Sequence, residues 1–239
     1  MIMYVRVLFN SAALLEEHSV GWGLSFLIDN KILFDTGEKG DLLINNINKL
    51  QVELSLIEAV VFSHDHWDHT GGLEEILTKN PNINVYTCPG FGKDFKQRVA
   101  AFPVKLIEAA HFTQVSPGIY STGEILGIYK GNNISEQALI IKTEKGISVI
   151  TGCAHPGIIK ILEKIRASLT IEKFYAVFGG FHLKDNSINE INQIVNKFIS
   201  LKVQKVGATH CSGTNAEECF REAYKEKFLS MNVGDTIRI

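Results

Sequence analysis

Three histidines and two aspartates crowd into six consecutive residues of this chain. They lie in the segment FSHDHWDHTGG, which spans residues 62–72. Imidazole binds zinc, iron and other transition metals, and carboxylates extend that range. A catalytic zinc ion takes about three protein ligands and keeps one position for water. The segment therefore holds too many ligands for one open ion and too few for two, and they are His64, His66, Asp68 and His69.

The sequence on either side of the segment favours a built site over a histidine-rich surface loop. Residues 57–62 form a continuous apolar run, which is typical of a strand buried on both faces. The glycines of Thr70-Gly71-Gly72 let the backbone turn tightly into a helix. The pattern predicts that the ligands lie in a loop that leaves a central strand.

The elements that must position these side chains alternate along the chain. Strands are predicted at residues 4–9, 57–62, 85–88, 104–109 and 174–178, and hairpins at residues 23–34 and 138–151. Helices are predicted at residues 40–50 and 158–165, and behind two capping boxes, Ser187 with Glu190 and Thr214 with Glu217. No linker or repeat interrupts this order. It favours one domain over residues 1–239, with two sheets covered by helices.

Composition narrows the classes of function. A formal net charge of -2 gives no basic surface for nucleic acid, so no nucleic-acid partner is expected. Glu16 and Glu17 interrupt the N-terminal apolar patch, so neither a signal peptide nor a membrane anchor is expected. The cysteines lack the paired spacing of a disulfide framework, which predicts a reducing, cytoplasmic compartment. They are Cys88, Cys153, Cys211 and Cys219.

The pattern H-x-H-x-D-H, between an apolar strand and T-G-G, resembles the signature of the metallo-β-lactamase superfamily. The resemblance covers nearly the whole chain. It implies an α/β (α+β) fold, the four-layer αββα sandwich, with a one- or two-metal site at one edge of the sheets. Asp35 in FDTG fits the same pattern, which implies that it holds a ligand histidine in one tautomer. A plain turn aspartate supported by Gly37 is the alternative.

Three downstream histidines each end an apolar run and are candidates to complete the site. The resemblance implies that His210 joins Asp68 and His69 on one ion. We assign His155 as the third ligand of the ion held by His64 and His66. His182, which follows a glycine pair, is a candidate to contact a substrate anion or donate a proton, and a histidine that caps the strand is the alternative.

The sequence departs from the superfamily pattern at two places. Many members carry a histidine upstream of the second hairpin, where this chain has Asn132, Asn133 and Glu136. Many also carry a bridging aspartate in a T-G-D turn, where this chain reads Thr151-Gly152-Cys153. A cysteine thiolate binds zinc, but a small buried cysteine is an equal alternative. Cys153 thus decides whether a second ion is held.

These departures, taken with nearby segments, resemble one prokaryotic branch of the superfamily. The segments are STGE at 121–124, EQA at 136–138, GCAHPG at 152–157 and GGFH at 179–182. Archaeal members of that branch are described as 7,8-dihydropterin-6-yl-methyl-4-(β-D-ribofuranosyl)aminobenzene-5'-phosphate synthases. Most bacterial relatives are described only as metal-dependent hydrolases.

A divalent cation, most simply Zn²⁺ with Mn²⁺ or Fe²⁺ as alternatives, acidifies its water and suits hydrolysis of esters, thioesters, lactams or phosphodiesters. Asp68 would orient that water and take its proton. The first hypothesis is a hydrolase of a small anionic molecule, and the second is a synthase-type transferase that displaces pyrophosphate. Transfer needs an aromatic slot, for which the candidates are Trp22, Trp67, Phe91, Phe112 and Phe181.

Other classes fit less well. A flavin-linked di-iron oxidoreductase of this fold would carry a glutamate in place of His66 and a flavin domain. A nucleic-acid-processing relative would show a basic surface and an inserted domain. A metal-binding module without catalysis is the remaining alternative if the second site is empty.

Overall fold

Two β-sheets face each other in a computed structural model that describes residues 2–239, and helices cover the outer face of each sheet. The strands are β1 (Tyr4–Phe9), β2 (Ser25–Ile28), β3 (Ile32–Phe34), β4 (Ala59–Val61), β5 (Asn84–Thr87), β6 (Lys105–Glu108), β7 (Thr113–Ser116), β8 (Ile119–Ser121), β9 (Ile125–Tyr129), β10 (Asn132–Glu136), β11 (Leu139–Thr143), β12 (Gly146–Thr151), β13 (Phe174–Gly180), β14 (Val203–Thr209) and β15 (Thr236–Arg238). The helices are α1 (Gly40–Lys49), α2 (Trp67–Thr70), α3 (Leu73–Lys79), α4 (Lys93–Ala100), α5 (Ile158–Leu169), α6 (Ile188–Ser200) and α7 (Thr214–Tyr224).

The first sheet has the strand order β15-β1-β2-β3-β4-β5-β6. The predicted hairpin joins β2 to β3 through Asp29 and Asn30, whose φ angles of 50° and 58° suit the tight turn that Asp and Asn favour. From β3 to β6 the strands pair in parallel. Their carboxyl ends therefore meet at one edge of the sheet.

The second sheet has the order β14-β13-β12-β11-β8-β7, and β12, β13 and β14 pair in parallel. The carboxyl ends of these three strands also share an edge. Strands β9 and β10 form a separate hairpin beside it, turned by Lys130 and Gly131 at positive φ. This hairpin and strands β7 and β8 were absent from the sequence prediction.

Apolar side chains of the two sheets meet in a central core, where Phe26 packs edge-to-face on Phe178 with ring centroids 5.9 Å apart. A second cluster lies under α1, α3 and α4, and a third lies under α5, α6 and α7. The layers are thus helix, sheet, sheet and helix, and the αββα sandwich predicted from the sequence is confirmed. Among residues 2–239, no helix combines the length and apolar character that crossing a bilayer requires.

Of the two predicted capping boxes, the one at α6 is present, and the prediction of one at α7 is wrong. At the start of α6, Ser187 Oγ accepts from the Glu190 N–H, and the Glu190 carboxylate accepts from the Ser187 N–H. At α7 the cap position belongs to Gly213, at φ 78°, and Thr214 is already the first helical residue. Glu217 therefore lies one position too far into the helix to reach back to the cap.

Candidate metal centre

The side chains predicted to bind metal converge where the parallel strands of both sheets end. Asp35 follows β3, and the motif follows β4, with Asp68 and His69 on α2. Cys153 and His155 follow β12, His182 follows β13, and His210 follows β14. The carboxyl edges of the two sheets thus face one shared cleft.

Both predicted triads are brought together. One ligand atom each from His64, His66 and His155 lies within 4.8 Å of the others. The same holds for Asp68, His69 and His210. Each triad draws on the loop after β4 and on a strand end of the second sheet.

Cys153 lies between the triads. Its Sγ is 3.4 Å from Nε2 of His69, and it groups with His64 and His155 of the first triad and with His69 and His210 of the second. Its other neighbours in these groups are His182 and Cys211. Burial raises the pKa of this thiol well above its ordinary value. A cation beside the sulfur would therefore be needed to favour the thiolate.

Asp35 is fully buried and fixes His69. Its Oδ1 accepts from the Ser63 N–H, and its Oδ2 lies 2.7 Å from both Ser63 Oγ and His69 Nδ1. Burial raises the pKa of Asp35. Burial works against a charge on His69, but the adjacent carboxylate outweighs it and raises the pKa of His69 to about 9. The Nδ1 proton is held by Asp35, so an ion that binds this ring displaces the proton on Nε2.

Ser63 extends the same constraint to His64, a role that the sequence reading missed. Because Ser63 Oγ donates to Asp35, it can only accept from Nδ1 of His64, 2.9 Å away. Nε2 of His64 is then left unprotonated. The residue between the strand and the motif thus sets a tautomer in the first triad.

Several buried nitrogens of the cluster lack hydrogen-bond partners, although buried polar groups are nearly always paired. Among the described residues these include His64 Nε2, His182 Nδ1 and His210 Nδ1. The rings are close, with centroids of His64 and His69 4.2 Å apart. Burial, followed by the neighbouring imidazoles, lowers the pKa of His64 well below its ordinary value. Ring nitrogens without partners, a carboxylate and thiols fit a divalent transition-metal cation.

Asp68 belongs to the second triad and also lines the cleft. Its Oδ2 is 3.3 Å from Nε2 of His210 and 3.6 Å from Nε2 of His69. Burial disfavours the charged form, but these two rings outweigh it and hold the pKa of Asp68 well below its usual range. The side chain is therefore a carboxylate at neutral pH.

His182 borders the cleft beside the first triad, with its ring centroid 4.6 Å from that of His155. A hydrogen bond with Cys211 raises the pKa of His182 and outweighs the opposing effect of burial. Gly180, two positions before His182, serves packing, because a Cβ there would lie 2.2 Å from the carbonyl oxygen of Gly152. The ring itself remains accessible from the cleft.

The cleft above the triads has a volume of about 270 Å³. Two aromatic side chains flank it, each with a lysine over its ring. Lys184 Nζ lies 5.5 Å from the Trp22 ring, which in turn packs 4.6 Å from His210. Lys130 Nζ lies 5.1 Å from the Tyr129 ring. Asp68 is the one acidic residue among the described residues that line the cleft.

The aromatic candidates divide between the cleft and other places. Trp22 and Trp67 line the cleft, whereas Phe91 and Phe181 belong to the apolar clusters under the helices. Phe112 is exposed and stacks on Tyr120. Tyr129 and both lysines were missed by the sequence reading, although the Tyr-Lys-Gly turn of the β9–β10 hairpin was a usable signal.

Comparisons with known proteins agree with this geometry. A family model described as the β-lactamase superfamily domain matches residues 30–118. A 7,8-dihydropterin-6-methyl-4-(β-D-ribofuranosyl)-aminobenzene-5'-phosphate synthase from Methanocaldococcus jannaschii is 32% identical, and the match covers 90% of this chain and 89% of that protein.

Solved structures share the fold. One, described as a metal-dependent hydrolase of the β-lactamase superfamily, is 28% identical with a TM-score of 0.82 and covers 99% of each chain. A metallo-β-lactamase fold protein from Bacillus subtilis is 13% identical with a TM-score of 0.71 over the full length of both chains, and this likeness concerns the fold alone.

Proposed function

This chain belongs to the metallo-β-lactamase superfamily, in the branch similar to the M. jannaschii synthase, and we propose that it is a metal-dependent hydrolase of a small anionic molecule. One observation carries the proposal. Two triads of side chains that could bind metal lie side by side around the Cys153 thiol, and buried ring nitrogens among them, such as Nε2 of His64, have no hydrogen-bond partner.

The donor set suits two divalent cations. His64, His66 and His155 would hold one, and Asp68, His69 and His210 the other, with Cys153 between them. Such cations supply Lewis-acid chemistry, because they neutralise charge on a phosphoryl or carbonyl oxygen and acidify water. Zinc fits the mixed nitrogen, oxygen and sulfur donors, and manganese and iron are the alternatives.

Two side chains would move protons. The Asp68 carboxylate, which lines the cleft, would accept a proton as the water oxygen forms its bond to the electrophilic atom of the substrate. The bond to the leaving group breaks in the same displacement. His182, beside His155, would donate a proton to the departing group. The products are the hydrolysed acid and the protonated leaving group.

The charges at the cleft support an anionic substrate. Lys130 and Lys184 lie at its rim on either side, over Tyr129 and Trp22 respectively. A phosphate or carboxylate remote from the reacting bond would therefore meet an ammonium group on either flank. The same aromatic rings offer flat surfaces to a ring system in the substrate.

A second candidate is transfer of the synthase type, favoured by the 32% identity over most of both chains. In that reaction the methylene carbon of a dihydropterin would bond to the aminobenzene acceptor as its bond to diphosphate breaks, and the acceptor would release a proton. Trp22 and Trp67 would provide the aromatic slot for the pterin.

Product analysis tests both. The enzyme is offered a dihydropterin methyl diphosphate with and without the ribofuranosylaminobenzene phosphate, alongside ester and phosphodiester panels, and its metal content is measured by elemental analysis. Turnover by water alone supports hydrolysis, and a coupled product supports transfer. A protein that binds no divalent metal would refute both.

A further inference from the structure

The side chain of Glu136, at the end of β10, makes four hydrogen bonds with one turn of the chain. Its Oε1 accepts from the N–H groups of Cys153 and Ala154, at 3.0 and 2.6 Å. Its Oε2 accepts from the His155 N–H at 2.8 Å and lies 2.9 Å from Nδ1 of the same residue. The side chain is only 1% exposed, so water does not compete for these bonds.

Three successive backbone N–H groups that point at one carboxylate form a concave anion site of the kind called a nest. Here the anion belongs to the protein. Ala154 adopts φ 61° in the middle of the turn, a conformation that a residue with a Cβ adopts rarely. The bonds to Glu136 give a physical reason why the turn keeps this conformation.

The carboxylate also dictates where the proton lies on His155. The two oxygens of Glu136 accept three backbone N–H groups, and this array of donors stabilises the ionised carboxylate. An ionised carboxylate only accepts hydrogen bonds, so Nδ1 of His155 must donate. The Nε2 lone pair is then free on the ring that lies beside His64 and His66.

We propose that Glu136 is the positioning residue of the first triad, because it sets both the turn that presents Cys153 and His155 and the tautomer of His155. The role of this triad in binding an ion rests on the proposed function. The assignment of the His155 tautomer does not rest on the proposed function, since it concerns the protein's own hydrogen bonds. Asp35 has the corresponding part at His69 and also accepts the Ser63 N–H, whereas Glu136 accepts the N–H groups of Cys153 and His155, which are themselves candidate ligands.

The substitution Glu136→Gln keeps the shape and exchanges one acceptor oxygen for an NH₂ donor. Each carboxylate oxygen accepts from two groups, so either orientation of the amide turns a donor toward donors. With the NH₂ next to His155, the ring relieves the conflict by moving its proton from Nδ1 to Nε2. That nitrogen then no longer offers a lone pair to an ion.

The test compares wild type, Glu136→Gln and the control Glu124→Gln. Glu124 also accepts a backbone N–H, that of Gly90 at 2.7 Å, but its carboxylate lies outside the triads. Long-range ¹⁵N–¹H spectra of the metal-free proteins report the tautomer of His155, and competition with a zinc chelator reports affinity. We expect an Nδ1–H tautomer in wild type and control, an Nε2–H tautomer in Glu136→Gln, and a loss of zinc affinity of about 10–100-fold in that variant alone.

Each outcome decides. An Nε2–H tautomer of His155 in wild type overturns the proposal even if Glu136→Gln fails to fold, and so does wild-type zinc affinity in a folded Glu136→Gln. If wild type shows the Nδ1–H tautomer but binds no divalent metal, the positioning of His155 stands and the proposed function fails.

Discussion

Replacing Cys153 with serine tests whether the sulfur between the triads is a metal ligand. Serine keeps the size of the side chain, but its hydroxyl does not ionise near neutral pH. Cys153 groups with members of both triads, so if its sulfur bridges them the variant loses a direct donor. Supporting groups around a metal are worth about 10–100-fold in affinity. We expect a direct donor to exceed about 100-fold, or about 2.7 kcal/mol.

The pH dependence of metal affinity provides an independent test of whether Cys153 is a ligand. Burial raises the pKa of Cys153, so at neutral pH the thiol carries a proton that an ion must displace. Affinity in wild type should therefore rise with pH up to that raised pKa. Cys153→Ser has no such proton to release, and its affinity should rise less steeply over the same range.

Cobalt substitution supplies the assay, because a thiolate on Co²⁺ gives a sulfur-to-metal charge-transfer absorption that serine cannot give. Cys211→Ser is the discriminating variant, since the Cys211 thiol shares a cluster with Cys153 and His210 but donates to the Cys153 carbonyl. Cys219→Ser, on α7, is the outside control. We expect the absorption and two bound ions in both of these variants, and one ion without the absorption in Cys153→Ser. Two ions in Cys153→Ser would refute the bridging sulfur.

Three further predictions concern other parts of the molecule. Asp35→Asn places an NH₂ group against the donors that now bond the carboxylate, so metal affinity should fall about 10–100-fold in a chelator competition, and an unchanged affinity would contradict the role of this residue. Ser187→Ala should lower the free energy of unfolding, measured in urea, by about 1 kcal/mol. Thr214→Ala, one position inside its helix, should change it by less than about 0.5 kcal/mol. Equal losses in the two variants would mean that Thr214 also caps its helix. Lys184→Ala should raise KM for a phosphorylated substrate and leave kcat within about twofold if the ammonium binds ground and transition states alike, with Lys173→Ala as the remote control, and a fall in kcat alone would place the lysine in the chemistry instead.

The features of this protein that could be predicted from sequence are those that depend on residues close together in the chain. The apolar run before His64 and the Asp29-Asn30 turn each indicate their structure within a few residues. The αββα fold follows from many such segments. The pairing of His155 with His64 and His66 could be anticipated from strand ends. Whether these residues hold ions stays a prediction, as does the single-domain boundary.

What escaped prediction depends on contacts between distant residues. Glu136 meets its turn 19 positions later, and Ser63 meets Asp35 28 positions earlier. Residue type reveals a carboxylate or a hydroxyl, but strand pairing decides which backbone it faces. The prediction of a capping box at Thr214 was wrong for a different reason. Gly213, at positive φ, occupies the cap position that the sequence pattern assigned to Thr214.

Each triad takes donors from both sheets, and this division has a consequence for how the protein is made. A ribosome-bound chain that ends before β12 carries the loop after β4 but no third donor for either triad. The last donor, His210, emerges only after β14, when most of the second sheet exists. Tight metal uptake should then be a late event in biogenesis. An ion in either triad would also link one half of the molecule to the other, so the loaded protein should resist separation of its two sheets more strongly than the metal-free chain.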